Sequence, residues 1–383
     1  MGEDKNRNKK KPGSAVAIEF ATYFGGTFAA LYVADKNGWL FEGRSAVAMF
    51  PEVSWWRVLT EFPGQRALFA LYGVVLALPM HFWRNAVKSI FTPLATKGAG
   101  LQVGTVKCQK FLEQCWLATH YSIVTVCEIG AVMKATELWP PMVTEKSRHK
   151  LINSFEDKLG EGENIWVQGV YLVQFTFYFL ELATLVLDKR ARARSDAFVY
   201  LIHHVVTVML ISFSYIYSFV NIGLLVLLFH DVGDIFLPIA KCFVYSEDHV
   251  RVACSKRSFR IVLVSGVFFF VLFMIVFGLS RLVLYPTMIY TAVFYGKWYT
   301  RIYDPAIDGA TPATQDPSAF RVMDEPYASA PAILVVELLL LFGLHVYWFR
   351  LILRVAYRAV MGIYDDERSD DEDESYEPHK KNE

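Results

Sequence analysis

The hydrophobic residues of this chain fall into blocks of about 20, which polar and charged segments separate. Because a helix needs about 20 apolar residues to cross a bilayer, each block predicts a transmembrane helix. The blocks are 15–34, 67–83, 111–133, 165–187, 197–219, 221–245, 261–280 and 331–352. Glu19 lies inside the first block and the second is short, so we predict an all-α polytopic membrane bundle of about seven to eight helices. Residues 282–296 are too short to span alone and should continue the seventh helix.

Charged residues between the blocks predict the orientation of the chain in the membrane. Segments 84–110, 188–196 and 246–260 are rich in Lys and Arg, whereas 134–164 and 297–329 carry more acids than bases. Because basic loops stay in the cytosol, both termini should be cytosolic if residues 15–34 span. We therefore divide the chain into a basic N-terminus (1–14), N-terminal transmembrane helices (15–83), a basic cytosolic loop (84–110), a helical core (111–358) and an acidic disordered tail (359–383).

Two short motifs in the acidic tail suggest regulation and targeting. Ser369 is followed by three acidic residues, the environment that an acidophilic kinase selects, although the same composition is typical of a solvated tail. Lys380 and Lys381 are fourth and third from the end of the printed sequence. They resemble the cytosolic dilysine signal that returns membrane proteins to the endoplasmic reticulum, with a chance occurrence as the alternative.

A cluster of ionisable residues interrupts two consecutive apolar blocks. His203 and His204 lie in the block 197–219, and His230, Asp231 and Asp234 lie in the next one. A short turn near residues 219–221 should make these blocks an antiparallel helical hairpin, which brings the histidines and Asp234 to one depth. Ionisable side chains at membrane depth are costly, so a cluster of them predicts a functional site.

A carboxylate beside an imidazole keeps the ring basic and stabilises the imidazolium, so we predict His203, His204, Asp231 and Asp234 as catalytic. The imidazole would act as a general base or as a nucleophile. A set of interhelical hydrogen bonds is the alternative. We expect no metal, because the repeated short His boxes of membrane di-iron enzymes are absent, and we see no inverted repeat of a transporter. Supporting residues that we expect to contact substrate are His230, Thr207, Ser214, Tyr215, Lys241, Arg190 and Arg194.

Read as text, one long stretch resembles the signature of ceramide synthases within the TLC membrane-protein superfamily. It runs His203-His204-Val-Val-Thr207 … Ser214-Tyr215 … Gly223-Leu-Leu-Val-Leu-Leu-Phe-His230-Asp231-Val-Gly-Asp234 … Ala240-Lys241 … Tyr245. Lys110-Phe-Leu-Glu113-Gln-Cys-Trp116 and Arg281-Leu-Val-Leu-Tyr-Pro286 resemble the family's opening and late segments. The segment 84–110 is too short for the homeobox-like insert of many animal members, so the resemblance is closer to members without it.

The resemblance implies a TLC-type six-helix core, with residues 111–358 as the catalytic domain. It also implies an N-acyltransferase of the endoplasmic reticulum that transfers a fatty acyl group from acyl-CoA to sphinganine or sphingosine. The implied partners are acyl-CoA, the sphingoid base and the bilayer, with no cofactor and no nucleic acid, and a homodimer or heterodimer stays open. Such chemistry needs an apolar cavity for two lipid chains. The competing hypotheses are a non-catalytic TLC protein, acting in lipid sensing or membrane-protein insertion, and a different membrane acyltransferase.

Overall fold

The computed structural model describes residues 68–134, 140–152, 165–187, 197–216, 219–294 and 330–361, and every regular element in these ranges is helical. The α-helices are α1 (Leu68–Pro93), α2 (Val106–Lys134), α3 (Glu145–Ile152), α4 (Ile165–Leu187), α5 (Ala197–Ile216), α6 (Val220–Asp234), α7 (Phe236–Ala253), α8 (Lys256–Phe277), α9 (Tyr285–Phe294) and α10 (Ala330–Val360). The all-α prediction is confirmed. The predicted span 15–34 and both termini lie outside the described residues.

Six helical stretches of the described residues are long and apolar enough to cross a membrane. They are Val106–Lys134, Trp166–Leu187, Ala197–Ile216, Val220–Glu247, Lys256–Ala292 and Ile333–Val360. Each one coincides with a predicted span, and the stretch that ends at Ala292 contains most of the segment expected to continue the seventh helix. Helix α1 covers the predicted span 67–83 but runs on to Pro93, so the segment predicted as a loop begins as helix.

Two prolines explain the irregularities in the spanning helices. Proline has no backbone N–H and its ring crowds the carbonyl four residues earlier, so it disturbs the turn before it. Pro238 accordingly follows the junction at Ile235, where α6 ends and α7 begins. Pro286 follows the π-helical segment Gly278–Leu284, which joins α8 to α9. This wider turn holds Arg281 at the point where it meets α6.

Helix α6 is the central element of the bundle. It packs against α2, α4, α5, α8, α9 and the π-helical segment Gly278–Leu284. Every residue from Ile222 to Asp231 is buried, so this part of the helix has no face exposed to the surroundings of the bundle. Helix α10 closes the bundle by packing against α5. Polar side chains near the end of α6 therefore lie in the interior, away from lipid.

Candidate active site

The polar end of α6 is anchored by Arg281. The guanidinium of Arg281 donates to Asp234 Oδ2 at 2.7 Å and to the backbone oxygen of His230 at 2.7 Å. Nδ1 of His230 donates to the backbone oxygen of Val226 at 2.6 Å, which leaves Nε2 with the lone pair in the neutral ring. This Nε2 is buried without a hydrogen-bond partner among the described residues. Arg281 and the Val226 carbonyl thus fix the orientation of the helix end and of one imidazole.

Asp231 is held by side chains of α2 and α4. Nε2 of Gln174 donates to Asp231 Oδ2 and, at 2.5 Å, to Glu128 Oε1. The hydroxyl of Tyr178 donates to Asp231 Oδ1 at 3.2 Å. Gln174, Glu128 and Asp231 are completely buried. One amide therefore joins two carboxyl groups in the centre of the bundle.

The adjacent histidines of α5 lie among aromatic rings. The ring centroid of His204 is 4.5 Å from that of Tyr200 and 6.0 Å from that of Tyr178. The ring centroid of His203 is 5.0 Å from that of Trp348 and 6.4 Å from that of Tyr178. Both rings thus point into the protein, and the Tyr178 side chain joins them to Asp231.

A small pocket lies next to these groups, between α4, α5, α6 and α10. Its volume is about 20 Å³, which is room for about one water molecule and not for an acyl chain. The lining residues are Tyr171, Tyr178, Thr207, Leu210, Ile211, Ser214, Gly223, Val226, Leu227, His230 and Leu341. This pocket is far smaller than the cavity for two lipid chains that the family resemblance implies.

The pocket contains several of the predicted supporting residues. Thr207, Ser214 and His230 line it, and the Thr207 hydroxyl lies 3.4 Å from His203 Nδ1. Tyr215 is buried and packs on Tyr171, with ring centroids 5.5 Å apart. Lys241 lies on α7, beyond the junction at Ile235, and is partly exposed. The remaining predicted residues, Arg190, Arg194, Ser369, Lys380 and Lys381, lie outside the described residues.

The structure differs from the sequence analysis in how the aspartates are held. We expected an acid directly against the histidine pair at the depth of Asp234. Instead the hydrogen bonds of Asp234 go to Arg281 and those of Asp231 go to Gln174 and Tyr178. Gln174 and Tyr178 are not among the site residues predicted from the sequence. Their spacing of four residues in an apolar helix places them on one face, which is a signal that could have identified them.

Other buried polar residues extend the site towards α10. His345 is completely buried, and its ring centroid lies 4.6 Å from that of His230 and 5.0 Å from that of Tyr285. The Tyr285 hydroxyl donates to the backbone oxygen of Leu338 at 2.9 Å. Among the residues that the structure describes, no three His, Cys, Asp or Glu side chains are grouped to hold a metal ion.

Comparison with known proteins gives one family and a consistent set of relatives. A family model described as the TLC domain matches residues 110–354. Ceramide synthase hyl-1 of Caenorhabditis elegans is 32% identical over 201 residues, which cover 52% of this chain and 46% of the relative. Ceramide synthase 4 of Bos taurus is 34% identical over 187 residues, covering 49% and 41%. ASC1-like protein 3 of Oryza sativa is 26% identical over 289 residues, covering 74% and 85%. The chain thus spans about half the length of the first two relatives.

Proposed function

The chain belongs to the TLC domain family, and we propose that it is a ceramide synthase, an enzyme that transfers a fatty acyl group from acyl-CoA to the amine of a sphingoid base. Several curated relatives are named ceramide synthases. The matched region 110–354 contains every residue of the buried site described above. The protein is a multi-pass membrane protein, so its substrates would enter from the bilayer and from its surface.

The observation that carries the proposal is the position of the two adjacent histidines. His203 and His204 lie beside Tyr178, whose hydroxyl is bonded to Asp231, inside a bundle of apolar helices. A set of interhelical contacts needs neither two neighbouring imidazoles nor a carboxyl group linked to them through one tyrosine. Amine attack needs a proton acceptor, and an imidazole with a carboxyl group nearby is a suitable one.

The proposed reaction forms an amide and releases free CoA. The amine of the sphingoid base enters the reaction in its neutral form, after its extra proton has passed to water, and an imidazole of the pair accepts a second proton as the nitrogen attacks the thioester carbonyl. The carbon–sulfur bond then breaks, and the proton goes to the departing CoA thiolate. In the alternative route a ring nitrogen attacks first, takes the acyl group and passes it to the amine. Either histidine is a candidate for either role.

The remaining predicted residues have supporting roles in this proposal. Thr207 orients His203, because its hydroxyl lies 3.4 Å from Nδ1 of that ring. Ser214, Tyr215 and His230 lie beside the pocket and contact the polar head of the sphingoid base. Arg190, Arg194 and Lys241 contact the phosphates of CoA at the cytosolic mouth. The reaction uses acyl-CoA as co-substrate and no bound cofactor.

We also propose the endoplasmic reticulum membrane as the location, with both termini in the cytosol. The support is the charge alternation of the loops and the Lys380 and Lys381 pair. Replacing both lysines with serine should release the protein to later compartments, as microscopy of a tagged chain would measure. Ser369 is the proposed phosphorylation site, and a homodimer or heterodimer stays open.

The direct test is a reconstituted assay. The full chain would be purified, placed in lipid nanodiscs and supplied with sphinganine and a panel of acyl-CoAs, with products identified by mass spectrometry. We expect dihydroceramide that depends on both substrates and disappears in the His203→Ala, His204→Ala double variant. Equal product from the double variant would refute the catalytic roles. A well-folded wild type that forms no ceramide would favour the alternative, a non-catalytic TLC protein acting in lipid sensing or membrane-protein insertion.

A further inference from the structure

In the part of the chain that the structure describes, two carboxyl groups at the centre of the bundle lack a neutralising cation. Glu128 on α2 and Asp231 on α6 are both completely buried. Arg281, a cation close enough to act on Asp231, is ion-paired with Asp234 at 2.7 Å. Within the described residues, neither Glu128 nor Asp231 forms an ion pair. Two buried negative charges side by side would be strongly unfavourable without such a partner.

The hydrogen bonds of this pair point to a missing proton. Both carboxyl groups contact one nitrogen, Nε2 of Gln174, so their oxygens lie no more than two hydrogen-bond lengths apart. Glu128 Oε2 and Gln174 Oε1 are buried with no hydrogen-bond partner in the described part of the chain. Buried polar atoms are normally satisfied, and a carboxyl proton would supply a donor where only acceptors now meet.

We propose that Glu128 and Asp231 share one proton and that Glu128 is a positioning residue for Asp231. The pair then carries a single negative charge, as two neighbouring carboxyl groups do when they cannot both ionise. When the proton is on Glu128, Asp231 is ionised and accepts the hydrogen bond from Tyr178. Tyr178 in turn lies beside the rings of His203 and His204. This inference rests on the proposed function only for its effect on catalysis.

The neighbours of the pair are consistent with this arrangement. The titratable groups near it include Tyr178 on α4, Tyr121 and Cys127 on α2, Asp234 at the end of α6 and Arg281 in the π-helical segment. Only Arg281 among them is a permanent cation, and it is already bound. Asp231 lies more than 100 residues from Glu128 along the chain, so no local spacing pattern in the sequence indicates that the two carboxyl groups meet.

Infrared spectroscopy of the full-length protein in nanodiscs tests the proton directly. A protonated carboxyl group has a carbonyl stretch that a carboxylate lacks, and the band shifts in deuterated water. We expect the wild type to show this band, Glu128→Gln to abolish it, and Asp231→Asn to shift it because the shared proton then stays on Glu128. The matched control is Glu337→Gln on α10, another buried glutamate, which should leave the Asp231-sensitive band in place. Survival of that band in Glu128→Gln would overturn the proposal.

Kinetics of the same variants test the positioning role. Glutamine mimics the protonated acid, so Glu128→Gln should lower kcat by about tenfold or less, with KM little changed, whereas Asp231→Asn should lower kcat by about 10²-fold. Equal losses in the two variants would contradict positioning, because Glu128 would then matter as much as Asp231. The band does not depend on turnover. If the wild type formed no ceramide but the band behaved as expected, the proposed function would be wrong and the proposal of a shared proton would still be supported.

Discussion

Two groups of charged side chains lie between the helices of this bundle, and they are neutralised in different ways. At the end of α1, Arg84 pairs with Glu113 and lies 3.3 Å from Glu181, while Lys88 also pairs with Glu113. We call these four residues the ion-pair cluster. Here two cations meet two carboxylates, so the charges balance. In the active site, Glu128 and Asp231 meet no cation in the described part of the chain, and His230 Nε2 has no partner there.

The contrast separates polar residues that form ion pairs between helices from those proposed to take part in the reaction. The ion-pair cluster joins α1, which lies outside the matched region 110–354, to α2 and α4 inside it. Its cations and carboxylates balance one another, although Nε of Arg84 is buried without a hydrogen-bond partner among the described residues. In the candidate active site the charges do not balance, because Glu128 and Asp231 pair with no cation in the described part of the chain. A buried polar group that is left unsatisfied costs free energy, and the usual explanation is a ligand, a water molecule or a catalytic role.

The largest expected effect comes from removing both imidazoles of the pair. The His203→Ala, His204→Ala variant should lose about 10³-fold or more in acyl transfer, because it lacks the proton acceptor and the nucleophile. The protein should still accumulate in the membrane, since the bundle is held mainly by its apolar helices. Initial rates from the reconstituted assay measure the loss.

A matched control for that variant is His81→Ala. His81 is an exposed histidine on α1 that contacts only Asn85, at 3.0 Å, among the described hydrogen bonds. Its removal should leave the rate within about twofold of the wild type, as expected for a surface position. A comparable loss in both variants would mean that the assay reports general damage to the protein.

The two aspartates of α6 should differ in the kind of damage that their loss causes. Asp231→Asn and Asp234→Asn should each lower kcat by about 10²-fold. Only Asp234→Asn should also lower the midpoint of thermal unfolding, because it leaves the buried Arg281 without its carboxylate. Kinetics and thermal unfolding in the same detergent compare the two. Equal destabilisation by both substitutions would show that Asp231 is also a structural ion-pair partner.

The ion-pair cluster should affect stability more than chemistry. Arg84→Met removes the cation that contacts Glu113 and Glu181, and its side chain is only 11% exposed. We expect a loss of about 1–3 kcal/mol in the free energy of unfolding, between the values typical of exposed and buried pairs. The ceramide-forming rate of the protein that remains folded should fall by less than about fivefold.

A double-mutant cycle sharpens this prediction. Glu113→Gln leaves Arg84 with Glu181 as its second partner, so it should cost less than Arg84→Met. Combining the two substitutions should cost less than the sum of the single effects, because the partners act as one unit. Strict additivity would mean that the cluster is a set of independent surface charges.

The sequence was sufficient to predict the helices and to single out the polar residues of α5 and α6 that lie buried between them. Spans of about 20 apolar residues are set by the bilayer, and polar residues inside them stand out against that background. The partners of those residues could not be predicted in the same way. Gln174 and Glu128 meet Asp231 only because α2, α4 and α6 pack together, and contacts between distant segments leave no periodic signal.

The contacts of Arg281 also could not be predicted from the sequence. Arg281 reads as a single cation that interrupts an apolar span, and only the resemblance to a family gave it any meaning in the sequence. Its contacts with Asp234 and with the His230 carbonyl depend on the π-helical turn before Pro286. The hairpin geometry places Asp234 at the depth of the histidines, but it carries no information on Arg281 of the π-helical segment, which binds the Asp234 carboxylate.

The smallest expected effect is that of removing metal ions. This experiment tests whether Glu128 and Asp231 bind a metal ion. Amine attack on a thioester needs a proton acceptor, which an imidazole supplies without a Lewis acid. The side chains that resemble ligands already have partners, since Asp234 binds Arg281 and His230 Nδ1 donates to Val226. Dialysis against EDTA and phenanthroline should therefore change the rate of ceramide formation by less than about twofold. A loss of more than about tenfold that added zinc or magnesium restores would mean that Glu128 and Asp231 hold a cation in place of a shared proton.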